Sequence, residues 1–259
     1  MRSIYKVLVV FGFNPKVFLT AIRGLSWYLK DYRLLKKKLR GNTEFEITKF
    51  FPIITEKFDE AGTMNGHYFN QDLYVAKLIH KANPIKHVDI GSRTDGFVAH
   101  LAVFREVEVF DIRNIESTVE NISFTRADLS SPTFDKINYT DSLSCLHAIE
   151  HFGLGRYGDM IDPDGHVLAL SNMWGVLKSG GRFYLSTPIG PQRIEFNAHR
   201  VFSVRYLMDL FESKFDIVSF SYIDDKGNLN INQDLNNSKH VAENFGCEYG
   251  CGIFEMIKK

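Results

Sequence analysis

The sequence predicts an α/β fold with a mostly parallel, Rossmann-like sheet. Three observations predict it. From residue 67 onward, short apolar β-type runs alternate with helical patterns. One of those runs, His87-Val88-Asp89-Ile90, ends in a glycine turn, Gly91-Ser92-Arg93-Thr94-Asp95-Gly96, that opens a helix. The next strand then ends in an acid, Asp111. At 259 residues, 44% hydrophobic and 24% charged, the chain can bury one sizeable core with additions.

Taken in order, Ile4–Phe13 reads as a short strand or buried segment. Asn14 suits a helix cap and Pro15 its first turn. That helix runs toward Arg40, is weakened at Gly24 and stops at Gly41-Asn42. Residues 42–66, with Pro52, Gly62 and Gly66, read as an irregular connection. Tyr68–Ala82 has near-helical apolar spacing and is stopped by Asn83-Pro84. Strands follow at His87–Ile90, Val107–Phe110, Phe124–Arg126, Ser142–Leu146 and Arg182–Ser186. Helices are expected at Phe97–Val103, Val167–Leu177 (ended by Gly180-Gly181) and Val204–Glu212. Two last strands, Asp216–Tyr222 and Gly252–Ile257, have no helix between them, which suits an antiparallel hairpin at a sheet edge. The division is residues 1–66, a basic and aromatic N-terminal helical extension, and residues 67–259, the α/β domain.

Formal net charge is zero, so no global field draws nucleic acid, and no nucleic-acid partner is expected. Residues 1–40 nevertheless carry ten bases and one acid, Asp31, a local charge of +9. Two readings of this helix stand: peripheral contact with an anionic membrane through residues 15–40, with Phe18, Trp27 and Tyr28 at the interface, or packing on the domain or a second copy in a homo-oligomer. Cys145, Cys247 and Cys251 are too few for a disulfide framework and favour a reducing compartment. Val7–Phe13 is too short to span a bilayer, and Asn14-Pro15 is not a leader cleavage site. The expected location is cytoplasmic, membrane-peripheral if the basic helix meets lipid.

The glycine turn carries the chemistry. Gly91 lets the backbone turn sharply beside a ligand, and Gly96 stands where the helix begins, whose N–H groups favour an anion. Asp111 can accept both hydroxyls of a ribose. Asp128 stands where an adenine amino group could donate to it, and Leu146-His147-Ala148 closes the cleft. With Asp128-Leu129 and the turn Leu177-Lys178-Ser179-Gly180-Gly181-Arg182-Phe183, these residues resemble the class I S-adenosylmethionine (SAM)-dependent methyltransferases over residues 68–259. His147-Ala148-Ile149-Glu150-His151 is similar to a string many of them carry after the fourth strand. The resemblance implies seven strands in the order 3-2-1-4-5-7-6, with strand seven antiparallel, and S-adenosyl-L-methionine as cofactor. It assigns cofactor contacts to Asp89, Gly91, Arg93, Gly96, Asp111, Asp128, Leu129 and His147. More narrowly, Asp89–Phe97, Ser142–Gly165 and Phe196-Asn197-Ala198-His199-Arg200 resemble a methyltransferase-like domain of unknown function associated with bacterial surface polysaccharide genes.

The resemblance implies methyl transfer to an oxygen or nitrogen of a small molecule, a sugar or a glycan precursor. The catalytic candidates are His151 first and His199 second, because a base near neutral pH is most easily a histidine. Glu150, Tyr157, Asp159, Asn197 and Arg200 are the substrate-side candidates; the plain alternative has Glu150, His151 and Arg200 only bracing their loops. Arg93 replaces a glycine of the broad family pattern. It could hold a methionine carboxylate, or pair with Asp95 or Asp89 and fill the pocket. A filled pocket would mean a non-catalytic binding or scaffold protein. A third reading, an NAD(P)-dependent oxidoreductase, draws on the outer glycines Gly91 and Gly96; its Tyr222/Lys226 pair straddles a strand end and not a helix. No metal is expected: His147, His151, Asp159 and Asp162 match no ligand signature, and Cys247-x-x-x-Cys251 with His240 reads more simply as two buried thiols.

Overall fold

The chain divides into two units, Met1–Thr63 and Met64–Lys259; the computed structural model describes residues 2–40, 44–60, 62, 64–116 and 118–259. In the first unit, helices α1 (Arg2–Val10) and α2 (Pro15–Lys38) meet at a 71° bend. The strand expected over Ile4–Phe13 is therefore a helix. A continuous apolar run of this length has no period to separate the two conformations. Asn14 caps α2 as expected, its Oδ1 accepting from the backbone N–H of Lys16 and Val17. Gly24 does not interrupt α2. The helix passes through it unbroken, and the missing side chain makes room for the carbonyl of Ile54. Lys57 reaches back to Asp31 and lies 4.5 Å over the Trp27 ring. Lys36, Lys37 and Lys38 fill the last turn, where the carbonyl end of the helix favours cations. The stop expected at Gly41-Asn42 lies outside the described residues. Among the described residues no single helix is long and apolar enough to cross a membrane.

The second unit is built on strands β1 (His87–Ile90), β2 (Val107–Asp111), β3 (Ile122–Arg126), β4 (Thr140–Leu146), β5 (Leu177–Ile189), β6 (Arg193–Glu195), β7 (His199–Val201), β8 (Phe215–Ile223), β9 (Leu229–Asn230) and β10 (Gly250–Lys258). Eight of them form one sheet in the order β3-β2-β1-β4-β5-β10-β8-β9. The first five are parallel, and β10 runs antiparallel to both β5 and β8. This is the Rossmann-like methyltransferase arrangement, with an eighth strand where seven were expected: β9 folds back on Tyr222 and Ile223 through a turn tied to Asp224.

Helix α3 (Gly66–Ala82), a π-helical turn at Thr94–Val98 and α4 (Ala99–Ala102) cover one sheet face through Val75, Ile79, Phe97 and Leu101. Helices α5 (Gly165–Val176) and α6 (Val204–Glu212) cover the other through Leu170, Met173, Leu207 and Phe211. Each such fully buried side chain contributes roughly 1.5–3 kcal/mol. Two more expectations change. The strand after α5 begins at Leu177, and Gly180-Gly181 is a loop-out within it: β5 spends residues 177 to 182 while β4 spends 140 to 142. The last two strands pair antiparallel but are joined through α7 (Ser238–Ala242) and a 3-10 turn, not a simple hairpin.

The period-2 alternation of β1 places Val88 and Ile90 on one face and His87 and Asp89 on the other, where register sets them beside Ser142 and Ser144 of β4. His87 bonds Ser142 Oγ at 2.8 Å and Ser144 Oγ at 3.0 Å. Ser144 Oγ donates to Asp89 Oδ2 at 2.5 Å. Burial pushes the His87 imidazole down to about 3 and the Asp89 carboxyl up to about 6, the latter against hydrogen bonds from Ser144 and Ser92 that lower it.

The two shifts oppose each other. Below about pH 6.5 the unfolded chain takes a proton at His87 that the folded chain refuses, so acid costs stability. Between about pH 4 and 6 the folded chain holds a proton at Asp89 that the unfolded chain releases, which offsets that cost. Asp89→Asn removes the offset. Relative to the parent, its unfolding free energy should fall by about 1.4 kcal/mol per pH unit on acidification across that window. Urea unfolding of both proteins at each end of the window measures this; parallel pH profiles would contradict it.

Candidate cofactor cleft

A slot opens at the carboxyl ends of β1, β2 and β4, walled by Ile90, Gly91, Phe110, Ala127, Leu129 and Ala148. Asp111 and Asp128 stand at its polar edges. It continues into a vestibule that is open to solvent and lined by polar groups including Asn114, Glu150, His151 and His199. The slot exists because the backbone turns away at Gly91, whose φ of 66° is in the left-handed region glycine adopts without strain. A Cβ there would stand 3.1 Å from the Cβ of Ala148, across the slot's floor.

The Asp111 carboxylate faces the cleft already engaged. Arg113 donates to it from its backbone N–H (2.8 Å), from Nε (2.9 Å) and from a terminal nitrogen (2.6 Å), and its guanidinium lies 4.4 Å from the centre of the Tyr157 ring. Nothing in the sequence pattern singles out Arg113, although it stands only two residues past the expected ribose acid. Asp128 accepts from the Ser130 backbone and hydroxyl through Oδ1, and its Oδ2 has no hydrogen-bond partner among the described residues. Leu129 is buried behind it.

Four expected site residues lie elsewhere. Asp89 is fully buried and accepts from Ser92 N–H, Ser92 Oγ and Ser144 Oγ; it shapes the turn and does not face a ligand. Gly96 lies outside the cleft wall, and a Cβ on it would meet Asp72 Oδ2 at 2.8 Å, so its smallness serves the packing of α3. Asn197 is exposed in the β6–β7 turn, a hairpin the sequence did not announce. Arg200 is buried and donates to the carbonyls of Phe152 and Pro163, bracing the loop from behind. Arg93 lines the rim of the vestibule but does not fill it: its side chain is 60% exposed, pairs with Asp95 at 2.8 Å and lies 5.5 Å from the Tyr68 ring centre.

The remaining candidates come together. His147, at φ 50°, hydrogen-bonds through Nδ1 to Glu150 Oε1 at 3.0 Å. Burial alone would raise the Glu150 carboxyl, but the bond and charge of His147 outweigh it and hold it low. His151 donates from Nδ1 to the Ala198 carbonyl at 2.7 Å, which leaves Nε2 unprotonated, 3.8 Å from Glu150 Oε1. Burial lowers the His151 imidazole below its usual range. It is thus a neutral ring with an available lone pair at neutral pH. His199 packs edge-on to His151 at 6.4 Å and lies tilted against Tyr249 at 5.3 Å; burial lowers it as well. Tyr157 meets His151 edge-on, and Asp159 accepts from the backbone of Gly153, Gly155 and Tyr157, holding the loop that carries them.

A family profile described as "Caenorhabditis protein of unknown function, DUF268" matches residues 90–246, and the chain belongs to that family. No curated protein matches it. Among solved structures the fold is similar to that of the [4+2]-cyclase SpnF, at TM-score 0.53 and 9% identity over 76% of this chain and 85% of that one. It is similar also to the Burkholderia thailandensis 1,6-didemethyltoxoflavin N1-methyltransferase with bound 1,6-didemethyltoxoflavin and S-adenosylhomocysteine (TM-score 0.51, 16% identity, 73% and 82% covered). A third is the N-methyltransferase NodS from Bradyrhizobium japonicum WM9 with S-adenosylhomocysteine (TM-score 0.50, 13% identity, 73% and 86% covered). At these identities the likeness is one of fold.

An exposed Arg93 makes a specific prediction. Arg93→Ala should change the unfolding free energy by no more than about 0.5 kcal/mol, as for a surface ion pair. Denaturant unfolding checks it; a loss of several kcal/mol would place the guanidinium inside the cleft.

Proposed function

We propose that this protein binds S-adenosylmethionine in the slot and transfers its methyl group to an acceptor held in the vestibule. The observation that carries this reading is the apolar slot flanked by Asp111 and Asp128, with Arg93 turned outward at the rim of the adjoining vestibule. An apolar cavity with a few convergent polar groups is the usual form of a cofactor site. In this reading adenine lies between Ile90, Phe110 and Leu129, with its amino group toward Asp128 Oδ2. The ribose hydroxyls approach Asp111, whose present partner Arg113 swings aside. Two of the similar folds carry S-adenosylhomocysteine, which supports the choice of cofactor.

The cofactor supplies an activated methyl group, so the chain's part is alignment and proton removal. His151 suits proton removal, because its Nδ1 proton is held by Ala198 and Nε2 is left to take a proton from an acceptor hydroxyl or amine. The polar vestibule suits a hydroxyl-rich acceptor, and a sugar or glycan precursor is the class we propose. The fold alone does not decide the reaction, since one similar structure is a [4+2]-cyclase.

Calorimetric titration with S-adenosylhomocysteine, with NADH and NADPH as controls, tests the reading. We expect micromolar binding of the first, about 8 kcal/mol, and none of the controls. Asp111→Ala should weaken it by about 1.5–3 kcal/mol through loss of a charged hydrogen-bond pair. No binding by folded protein, or unchanged affinity in Asp111→Ala, would sink it.

The first unit supports a separate part of the proposal: peripheral contact of α2 with an anionic membrane. Phe18, Ile22 and Leu25 are each about half exposed on a helix that also carries Lys36, Lys37 and Lys38. The full chain should sediment with phosphatidylserine vesicles and not with neutral ones. Replacing the three lysines by alanine should lower binding by about 3 kcal/mol, near 1 kcal/mol for each base at the surface. Equal sedimentation of the variant would refute it.

A further inference from the structure

We propose that His67, His147 and Cys251 form a binding site for a borderline-soft transition metal ion, zinc being the one whose chemistry fits best. The three residues are far apart in the chain and come from different elements. His67 is in the first turn of α3, His147 follows β4, and Cys251 is in β10. Their donor atoms all lie within 4.8 Å of one another. Two imidazole nitrogens and one thiol make a set that zinc favours, at about 2.0–2.1 Å to nitrogen and 2.3 Å to sulfur. Closing to those lengths asks about an ångström of side-chain movement. His67, half-buried near the start of its helix, can supply it.

Two independent observations point to an ion. The first is His147 Nε2, which is buried and has no hydrogen-bond partner among the described residues. Its side chain is 5% exposed, so no bulk water satisfies that nitrogen. An unpaired polar atom of this kind costs on the order of 1–3 kcal/mol unless something binds it. The second is the opposite side of the same ring. Nδ1 is engaged by Glu150 Oε1 at 3.0 Å, and Glu150 Oε2 accepts from Thr187 Oγ1 at 3.3 Å. A carboxylate on the far nitrogen fixes the tautomer and aims the other nitrogen, as in carboxylate–histidine–zinc triads. The His67 and His147 rings are stacked, 12° apart with centroids at 5.4 Å, so ligation requires the His67 ring to turn until its lone pair meets that of His147 at one ion. Among the described residues Cys251 Sγ has only weak contacts, 3.6 Å to Gln71 Oε1, a group already accepting from Ser186, and 3.9 Å to the Gly252 carbonyl.

Binding is a ligation step. Sγ–metal and two N–metal bonds form, the Cys251 thiol proton and the Nε2 proton of the charged His147 ring leave to solvent, and the imidazoles bind as neutral ligands. Three protein ligands leave a fourth position for water or another donor, the pattern of zinc sites that keep an open position. His147 belongs both to this cluster and to the wall of the vestibule.

Cobalt(II) and zinc titrations of the full chain, first stripped with chelator, test the site without any assay of activity. One equivalent of cobalt should give a thiolate charge-transfer band in the near ultraviolet and the intense visible bands of a four-coordinate centre. The charge-transfer band should vanish in Cys251→Ser and persist in Cys247→Ser. Zinc affinity should fall in His67→Ala, and by about 10–100-fold in Glu150→Gln, which alters only the outer partner. The proposal is overturned by the absence of a thiolate band at stoichiometric cobalt, by a band that survives Cys251→Ser, or by equal zinc affinity in His67→Ala and parent. Should Cys251→Ser fail to fold by circular dichroism, the comparison of His67→Ala with the parent decides the matter.

Discussion

The buried carboxylate of Asp89 holds the working end of this molecule together. It accepts from Ser92 N–H and Ser92 Oγ in the turn that follows β1, and from Ser144 Oγ on β4. Ser92 Oγ in turn accepts from the backbone N–H of Leu146, at the very end of β4. One carboxylate therefore fixes the glycine turn and ties it to the neighbouring strand. The width of the slot between Gly91 and Ala148 follows from that tie. An acid this deeply buried is tolerated because three donors converge on it.

From the end of β4 the chain takes an unusual path. His147 adopts a left-handed backbone, its N–H bonded to the Ser186 carbonyl and its ring held by Glu150. A non-glycine residue in that conformation is uncommon, and such positions cluster at functional sites. The result brings His147, Glu150 and His151 onto one short turn, where the Glu150 carboxylate bonds the His147 ring and lies 3.8 Å from that of His151. The loop behind them is braced by Asp159 and Arg200, both directed at backbone groups. Groups that face a ligand and groups that hold the loop are thus interleaved along a dozen residues.

The parallel core is legible in the sequence because each element announces itself. The alternating run His87–Ile90, the glycine at 91 and the acid at 111 each have one physical job, and period and punctuation locate them within a few residues. Local signals fail where tertiary contacts decide the outcome. Ile4–Phe13 has no period to read. Gly24 and Gly96 suggest weakness or ligand approach, yet each makes room for a neighbouring segment, Ile54 in one case and Asp72 in the other. The position of Asp89 beside the glycine turn suggests a cofactor contact, but alternation along β1 turns it beneath the sheet surface toward Ser144. Arg113 escapes notice because an arginine after a strand end is ordinarily a solvated charge. The grouping of His67 with His147 and Cys251 spans 184 positions, a separation no local spacing rule detects.

The slot can serve as an adenosine site only if Arg113 leaves Asp111 and frees that carboxylate for the ribose. A crystal structure with S-adenosylhomocysteine tests that claim most directly. Purine density is expected between Ile90, Phe110 and Leu129, with ribose hydroxyls on Asp111 and the Arg113 guanidinium displaced from that carboxylate. A purine bound elsewhere, or a nucleoside in the cleft with Arg113 still holding both oxygens of Asp111, would contradict it.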